Sequence, residues 1–181
     1  METIQHLVAG AAWTGQSERF GDVYNPAMGK VHARVALASG ADVDHVVAVA
    51  RGAQPAWGAT PPAKRAQVMF AFRDLLNRHD DELAEMISRE HGKTVPDAKG
   101  ELQRGIEVVE FACGIPHLLK GEYSDGVAAG VDSFSIRQPV GIVAGITPFN
   151  FPAMVPLWMY PVSLACGNAF ILKPSERDPS V

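Results

Sequence analysis

Three groups of residues have side chains and spacing that can do chemistry on a small molecule. Lys173 and Glu176 stand three apart, just after the apolar run Ala169-Phe-Ile-Leu172. An ammonium and a carboxylate so placed can hold a nucleotide ribose by charge-assisted hydrogen bonds. The plain alternative is an ion pair on the surface, which contributes little. The polar cluster Thr147-Pro-Phe-Asn150 follows a second apolar run, Val140 to Ile146. The third candidate is Arg104, a guanidinium in helical register with the apolar residues Val108, Phe111 and Ile115. If that face is buried, the charge needs an anionic partner. The two cysteines, Cys113 and Cys166, have no metal-ligand spacing and read as reduced core residues. His91 and His117 show no ligand spacing either and read as surface or packing residues.

The elements that must carry these groups follow from periodicity and punctuation. Residues 7–38 read as short strands and turns, broken by Gly10, Gly15, Gly21 and Gly29, with a turn at Asn25-Pro26 and a strand near Val31 to Leu37. Asp42 can cap a helix through Val43, Val46, Val47 and Ala50 that ends before Gly58. Pro61-Pro62 suits the start of another, with Val68, Met69, Phe72, Leu75 and Leu76 at helical period. Arg65, Arg73, Asn77 and Arg78 fall on its solvated side. Leu83, Met86 and Ile87 continue a helical pattern that His91-Gly92 can stop.

A helix over about 95–119 carries one stripe of Leu102, Ile106, Val109 and Cys113 and an opposite one of Val108, Phe111 and Ile115. Two apolar sides predict burial between layers. Arg104 projects from the second stripe, and Gly100 and Gly105 permit close approach of a neighbour. An intrahelical pair with Glu101 or Glu107 is the other use its position allows. Residues 123–137 read as an extended ribbon turning at Asp125-Gly126, with no helix of its own to cover it. The segment 139–173 reads as strand, helix, strand: the unit of a right-handed parallel crossover. Ligands bind beyond the C-terminal ends of such strands, where both polar clusters fall. The loop lacks the G-x-G-x-x-G fingerprint, so a standard dinucleotide loop is excluded.

Composition narrows the class. With 16 Lys+Arg against 20 Asp+Glu, the net charge is −4 and no run of like charge marks a tail, so nucleic acid is not the expected partner. No secretory or mitochondrial leader is apparent at Met1–His6, and a cytoplasmic location is expected. Gln138 to Leu172 carries no charge and is long enough to span a bilayer. Prolines at 139, 148, 152, 156 and 161 argue against one continuous helix there. No membrane association is expected.

The run Pro139-Val-Gly-Ile-Val-Ala-Gly-Ile-Thr-Pro-Phe-Asn-Phe-Pro152, with Ala165-Cys-Gly-Asn-Ala-Phe-Ile-Leu-Lys-Pro-Ser-Glu176, resembles the cofactor-binding segment of the aldehyde dehydrogenase superfamily. Phe149, where most relatives have tryptophan, and the ending Lys-Pro-Ser-Glu-Arg-Asp-Pro179 resemble the CoA-acylating methylmalonate-semialdehyde dehydrogenase branch. The likeness extends over the whole chain, including Glu107-Val-Val-Glu-Phe-Ala-Cys-Gly114.

The resemblance implies an α/β fold. It divides the chain into 1–122, the first part of an NAD-binding domain; 123–138, an oligomerisation β-ribbon; and 139–181, the start of an incomplete Rossmann-like parallel sheet. It implies that Asn150 donates to the oxyanion developing on the aldehyde carbon; its residue type also suits a helix cap. Thr147 and Phe149 match positions lining the cofactor, Lys173 and Glu176 the pair on the adenosine ribose, with Arg177 beside them. A carboxylate there disfavours a 2′-phosphate and so favours NAD over NADP. Arg104 matches the arginine used for a semialdehyde's carboxylate.

The family's nucleophilic cysteine and general-base glutamate are expected beyond Val181, so the 181 residues read as an N-terminal fragment, inactive alone. The complete enzyme implied is a homo-oligomer (dimer or tetramer) that oxidises a small semialdehyde to an acyl-CoA, with NAD as cofactor and coenzyme A as co-substrate. The alternatives are a CoA-independent semialdehyde dehydrogenase and a non-catalytic nucleotide-binding or subunit protein.

Overall fold

A computed structural model describes residues 1–181 as a mixed α/β chain. Strands β1 (Glu2–Ile4), β2 (His6–Val8), β3 (Ala11–Trp13), β4 (Phe20–Asn25) and β5 (Lys30–Ala36) come first. They form a β2–β3 hairpin and a three-stranded sheet, ordered β1-β5-β4, in which β1 runs parallel to β5. The turn expected at Asn25-Pro26 is there, closed by the amides of Met28 and Gly29 on the Asn25 carbonyl.

Helix α1 (Gly40–Ala59) starts earlier and ends later than its sequence suggests. Ser39, not Asp42, is the N-cap; Asp42 sits at the third helical position and closes a capping box. Its fully buried carboxylate accepts from the amides of Ser39 at 2.7 Å and Gln16 at 2.6 Å. The Ser39 amide and hydroxyl first, then Gln16, hold that carboxyl down at about 2. The helix then runs through Pro55 and Gly58, because the side chains of its last turns find partners on a distant segment.

Helices α2 (Pro62–Arg78) and α3 (Asp80–His91) follow, the latter stopped by Gly92 in the left-handed conformation at φ 86°. One expectation fails on α2. Arg65 is buried rather than solvated, and its guanidinium donates to the carbonyls of Gly58, Thr60 and Ala165. A fork of five donors satisfies three otherwise orphaned oxygens, which offsets the loss of water.

The long helix expected over 95–119 is two: α4 (Val95–Cys113) and α5 (Ile115–Leu118), divided at Gly114. α4 packs against α2, α3 and α6 (Met154–Ala165). Its stripe of Leu102, Ile106 and Val109 forms the main core with Leu76, Ala84, Ile87 and Leu157. The opposite stripe is covered only in part: Ile115 is buried with Met69 and Ala165 and Val108 is half-buried, but Phe111 and Arg104 are exposed. Of the two glycines expected to admit a neighbour, only Gly105 does, with Leu157 of α6 seated against it; Gly100 faces open space.

The ribbon β6 (Tyr123–Ala128) and β7 (Val131–Phe134) is antiparallel, and every residue in it is exposed. Its turn lies at Ala129-Gly130, not at Asp125-Gly126. Asp125-Gly126 falls where the register shifts, with the Gly126 amide bound to Asp132 at 2.9 Å. The chain then forms β8 (Ile142–Ile146), α6 and β9 (Ala169–Lys173), the expected crossover, with Ile142↔Ala169 through Ile146↔Lys173 paired in parallel. The uncharged stretch is thus three short elements, and no helix is long and apolar enough to cross a membrane.

The closeness of α4 and α6 gives opposite expectations for the two glycines. A Cβ on Gly105 would stand 2.5 Å from Leu157 Cδ1 and 3.0 Å from Leu157 Cβ. Overpacking of about 1–3 kcal/mol outweighs the gain in helix propensity of about 1 kcal/mol. Gly105→Ala therefore lowers the melting temperature, while Gly100→Ala raises it. Equal shifts in the same direction would contradict this packing.

Candidate active site

The site begins with a helix that cannot cap itself. The N-cap residue of α6 is Ala153, which has no side chain able to accept from the first amides. Glu101 of α4 does so across the interface, Oε1 accepting from Ala153 N at 2.9 Å and Met154 N at 3.1 Å. A carboxylate at a helix N-terminus is favoured by the local dipole as well as by the hydrogen bonds. Its side chain is 1% exposed, and its charge is met by Lys93, whose ammonium pairs with Oε2. Lys93 also donates to the carbonyl of Asn150 at 3.2 Å and lies 4.7 Å over the Phe151 ring. Glu101 is therefore not a partner of Arg104, and Arg104 forms no ion pair with Glu107 either.

The other end of α6 is tied by residues from α1 and α2. Trp57 Nε1 donates to the Leu164 carbonyl at 2.8 Å, Arg65 to Ala165 at 3.0 Å and Gln54 to Gly167 at 3.2 Å. Asn168 Oδ1 accepts from Gly141 N at 2.9 Å, which fixes the start of β8 against the start of β9.

At the opposite, C-terminal edge of the two strands the sequence-predicted residues come together. Thr147 N donates to the Lys173 carbonyl at 3.1 Å, extending the ladder one step past the strand ends. Lys173 Nζ meets Glu176 at 3.0 Å, with both side chains more than half exposed. Its own backbone amide first, then Lys173, holds the Glu176 carboxyl below the usual range. The Arg177 guanidinium lies 4.5 Å over the Phe149 ring, so the loops after β8 and β9 touch. Thr147 is buried, and its hydroxyl has no hydrogen-bond partner within the chain. Such an orphan is uncommon and suits an edge that completes its polar contacts with a ligand.

Asn150 is exposed and does not cap α6, so the capping use of its side chain is not taken up; Glu101 has that task. Its carboxamide makes no bond within the chain, and only its backbone carbonyl is held. Arg104, exposed, is not compelled to find a partner by burial, contrary to the sequence argument. It lies one turn from Glu101 on α4, about 60° round the helix at 100° per residue.

Beside this edge is a polar cleft of about 650 Å³. Phe149, Glu176 and Arg177 form one wall, and Asp22, Tyr24, Glu90 and His91 contribute to the rest. Lys173 and Thr147 stand outside it. A buried acidic group underlies it. Glu90 accepts from Ser180 Oγ at 2.6 Å and from Ser180 N at 3.1 Å. His32 Nε2 lies 3.3 Å from Glu90 Oε1, off the line of a hydrogen bond. Burial pushes the Asp178 carboxyl up to about 6, with Glu90 and Glu101 adding to the rise.

Neither cysteine is activated. Cys113 is buried and donates to the Val109 carbonyl at 3.3 Å, Cys166 is half-buried, and burial raises both thiols. His91 is half-buried on the wall of the polar cleft, its Nδ1 without a hydrogen-bond partner, and His117 is exposed.

The sequence reading missed Lys93 and Glu101 as partners, and with them the acidic layer of Glu90 and Asp178. A signal existed for Glu101. It stands three residues after Ala98 and four before Gly105, so it points to the same covered face.

Comparison with known proteins identifies the family. Residues 13–181 match the model of the aldehyde dehydrogenase family. The chain is 56% identical over 180 residues to a malonate-semialdehyde dehydrogenase of Pseudomonas aeruginosa, covering 99% of this chain and 36% of that protein. It is 48% identical over 176 residues to the mitochondrial, acylating methylmalonate-semialdehyde dehydrogenase of Arabidopsis thaliana, covering 97% and 29%. A Sinorhizobium meliloti protein described as a methylmalonate-semialdehyde dehydrogenase, solved in complex with NAD, superposes with a TM-score of 0.98 at 57% identity, over 100% of this chain and 37% of that one. The chain therefore spans about a third of the length of the relatives it matches, and it belongs to the aldehyde dehydrogenase family.

Proposed function

We propose that this chain supplies the cofactor-holding rim and part of the substrate pocket of an NAD-dependent, CoA-acylating malonate- or methylmalonate-semialdehyde dehydrogenase. The observation that carries it is the meeting of two loops at one strand edge: Thr147 on Lys173, and Phe149 beneath Arg177. The Pseudomonas and Arabidopsis relatives support the substrate class, and the latter's acylating chemistry supports coenzyme A as acceptor.

The residues present fit NAD. Lys173 and Glu176 take the adenosine ribose hydroxyls, as donor and acceptor. Their mutual pair is solvent-exposed, so opening it for a ligand costs about 1 kcal/mol or less. The anionic Glu176 disfavours a 2′-phosphate, which supports NAD over NADP. Thr147 offers its orphan hydroxyl, and Phe149 with Arg177 forms a wall. When bound, NAD supplies the hydride acceptor.

Asn150 donates its carboxamide to the oxyanion that develops on the aldehyde carbon. A donor preorganised there stabilises the transition state more than the ground state. Arg104 takes the distal carboxylate of the substrate, its exposure leaving the guanidinium available. The nucleophile comes from outside these residues, since neither Cys113 nor Cys166 is set up for attack. Residues 1–122 and 139–181 belong to the cofactor-binding part of the complete enzyme. The exposed ribbon of 123–138 joins subunits of a homo-oligomer in the cytoplasm.

Three measurements on the complete enzyme check this reading. Oxidation of malonate and methylmalonate semialdehydes depends on added coenzyme A and releases the acyl-CoA; rates indifferent to coenzyme A would move the protein to the CoA-independent semialdehyde dehydrogenases. Arg104→Leu raises KM for acidic aldehydes by about tenfold to a hundredfold, the worth of a charge-assisted hydrogen bond, and spares neutral aldehydes. An equal rise for both removes Arg104 from the pocket. Asn150→Ala lowers kcat by about 10² to 10³ with little change in NAD affinity; an unchanged kcat removes it from the reacting atoms.

A further inference from the structure

We infer that Lys93 and Glu101 are positioning residues that aim the Asn150 carboxamide; this rests on the proposed role of Asn150. Asn150 occupies an exposed loop, and its side chain has no bond within the chain. What fixes it is the backbone on either side. Upstream, Thr147 is clamped to Lys173. Downstream, Glu101 Oε1 holds the amides of Ala153 and Met154. Between them, Lys93 joins the Glu101 carboxylate to the Asn150 carbonyl at 3.2 Å and rests on the neighbouring Phe151 ring.

The two side chains are 12% and 1% exposed, so water does not replace either contact easily. A buried pair of this kind adds little net stability over apolar residues of the same size. What it adds here is direction: three hydrogen bonds from one pair reach the chain within five residues, Asn150 to Met154. Lys93 follows directly on Gly92, whose left-handed turn ends α3 and brings the lysine over the start of α6. Without the pair, the loop is free to shift, and a displacement near 1 Å of a group that meets the transition state lowers rate by about a hundredfold.

The test is a double-variant cycle on the complete enzyme, with Lys93→Met and Asn150→Ala alone and together. Lys93→Met lowers kcat by about tenfold to a hundredfold and leaves the KM for NAD within about twofold. Combined with Asn150→Ala it lowers kcat no further, because the group it aims is gone. Lys93→Arg, which retains both donations, recovers part of the rate. If Lys93→Met gives no folded protein, Glu101→Gln serves instead. It keeps an acceptor for the Ala153 and Met154 amides, loses the negative charge that pairs with Lys93, and its loss of kcat also disappears in the Asn150→Ala background. Losses that multiply in the double variant, or an unchanged kcat with Lys93→Met, overturn the inference while Asn150 keeps its role. An unchanged kcat with Asn150→Ala alone overturns the reading beneath it.

Discussion

One carboxylate organises the region on which function depends. α6 begins at a residue with no capping side chain, in a loop dense in proline, and its first amides would be buried without partners. Glu101 satisfies two of them from the facing helix. The arrangement is possible because Gly105, one turn further along α4, lets Leu157 and the rest of α6 approach closely. A carboxylate placed so deep needs a cation, and Lys93 supplies it while reaching on to Asn150. Helix packing, helix capping and the loop after β8 are thus joined through one side chain.

The far end of the same helix shows the complementary solution. The carbonyls of Leu164, Ala165 and Gly167 accept from Trp57, Arg65 and Gln54, all donors from the α1–α2 region. α6 is therefore held at both ends by side chains of other elements, and its inward face fills the space between α4 and the β8–β9 pair. The strand edge that carries Thr147, Phe149, Lys173 and Glu176 inherits its geometry from this anchoring. Loops positioned by a rigid scaffold are the usual place for binding groups, and these loops additionally touch each other through Arg177 on Phe149.

Local patterns were readable in the sequence; partners across the fold were not. The crossover unit was visible because short apolar runs, prolines and Gly167-Asn168 mark its elements unambiguously, and the pairing of Ile146 with Lys173 puts both polar clusters at one edge as expected. Capping and charge burial were misread for one common reason. Asp42 looked like a cap because its type suits one, yet Ser39 takes that place and Asp42 answers from the third position. Arg65 looked solvated from helical spacing, but the carbonyl it meets on Ala165 lies a hundred residues away. Arg104 looked buried because Val108, Phe111 and Ile115 share its face, yet only the Ile115 end of that face is buried, and Arg104 and Phe111 stay exposed. The ribbon was legible as a ribbon, but Asp125-Gly126 marks its irregularity, and Ala129-Gly130 makes the turn. Spacing shows which residues share a side of a helix; it does not say what stands opposite.

The most direct test is a crystal structure of the complete enzyme with NAD bound. The adenosine ribose hydroxyls are expected within hydrogen-bonding distance of Lys173 Nζ and the Glu176 carboxylate, on the same edge as Thr147 and Phe149. A nucleotide seated away from that edge, with the Lys173–Glu176 pair left intact, would contradict this expectation.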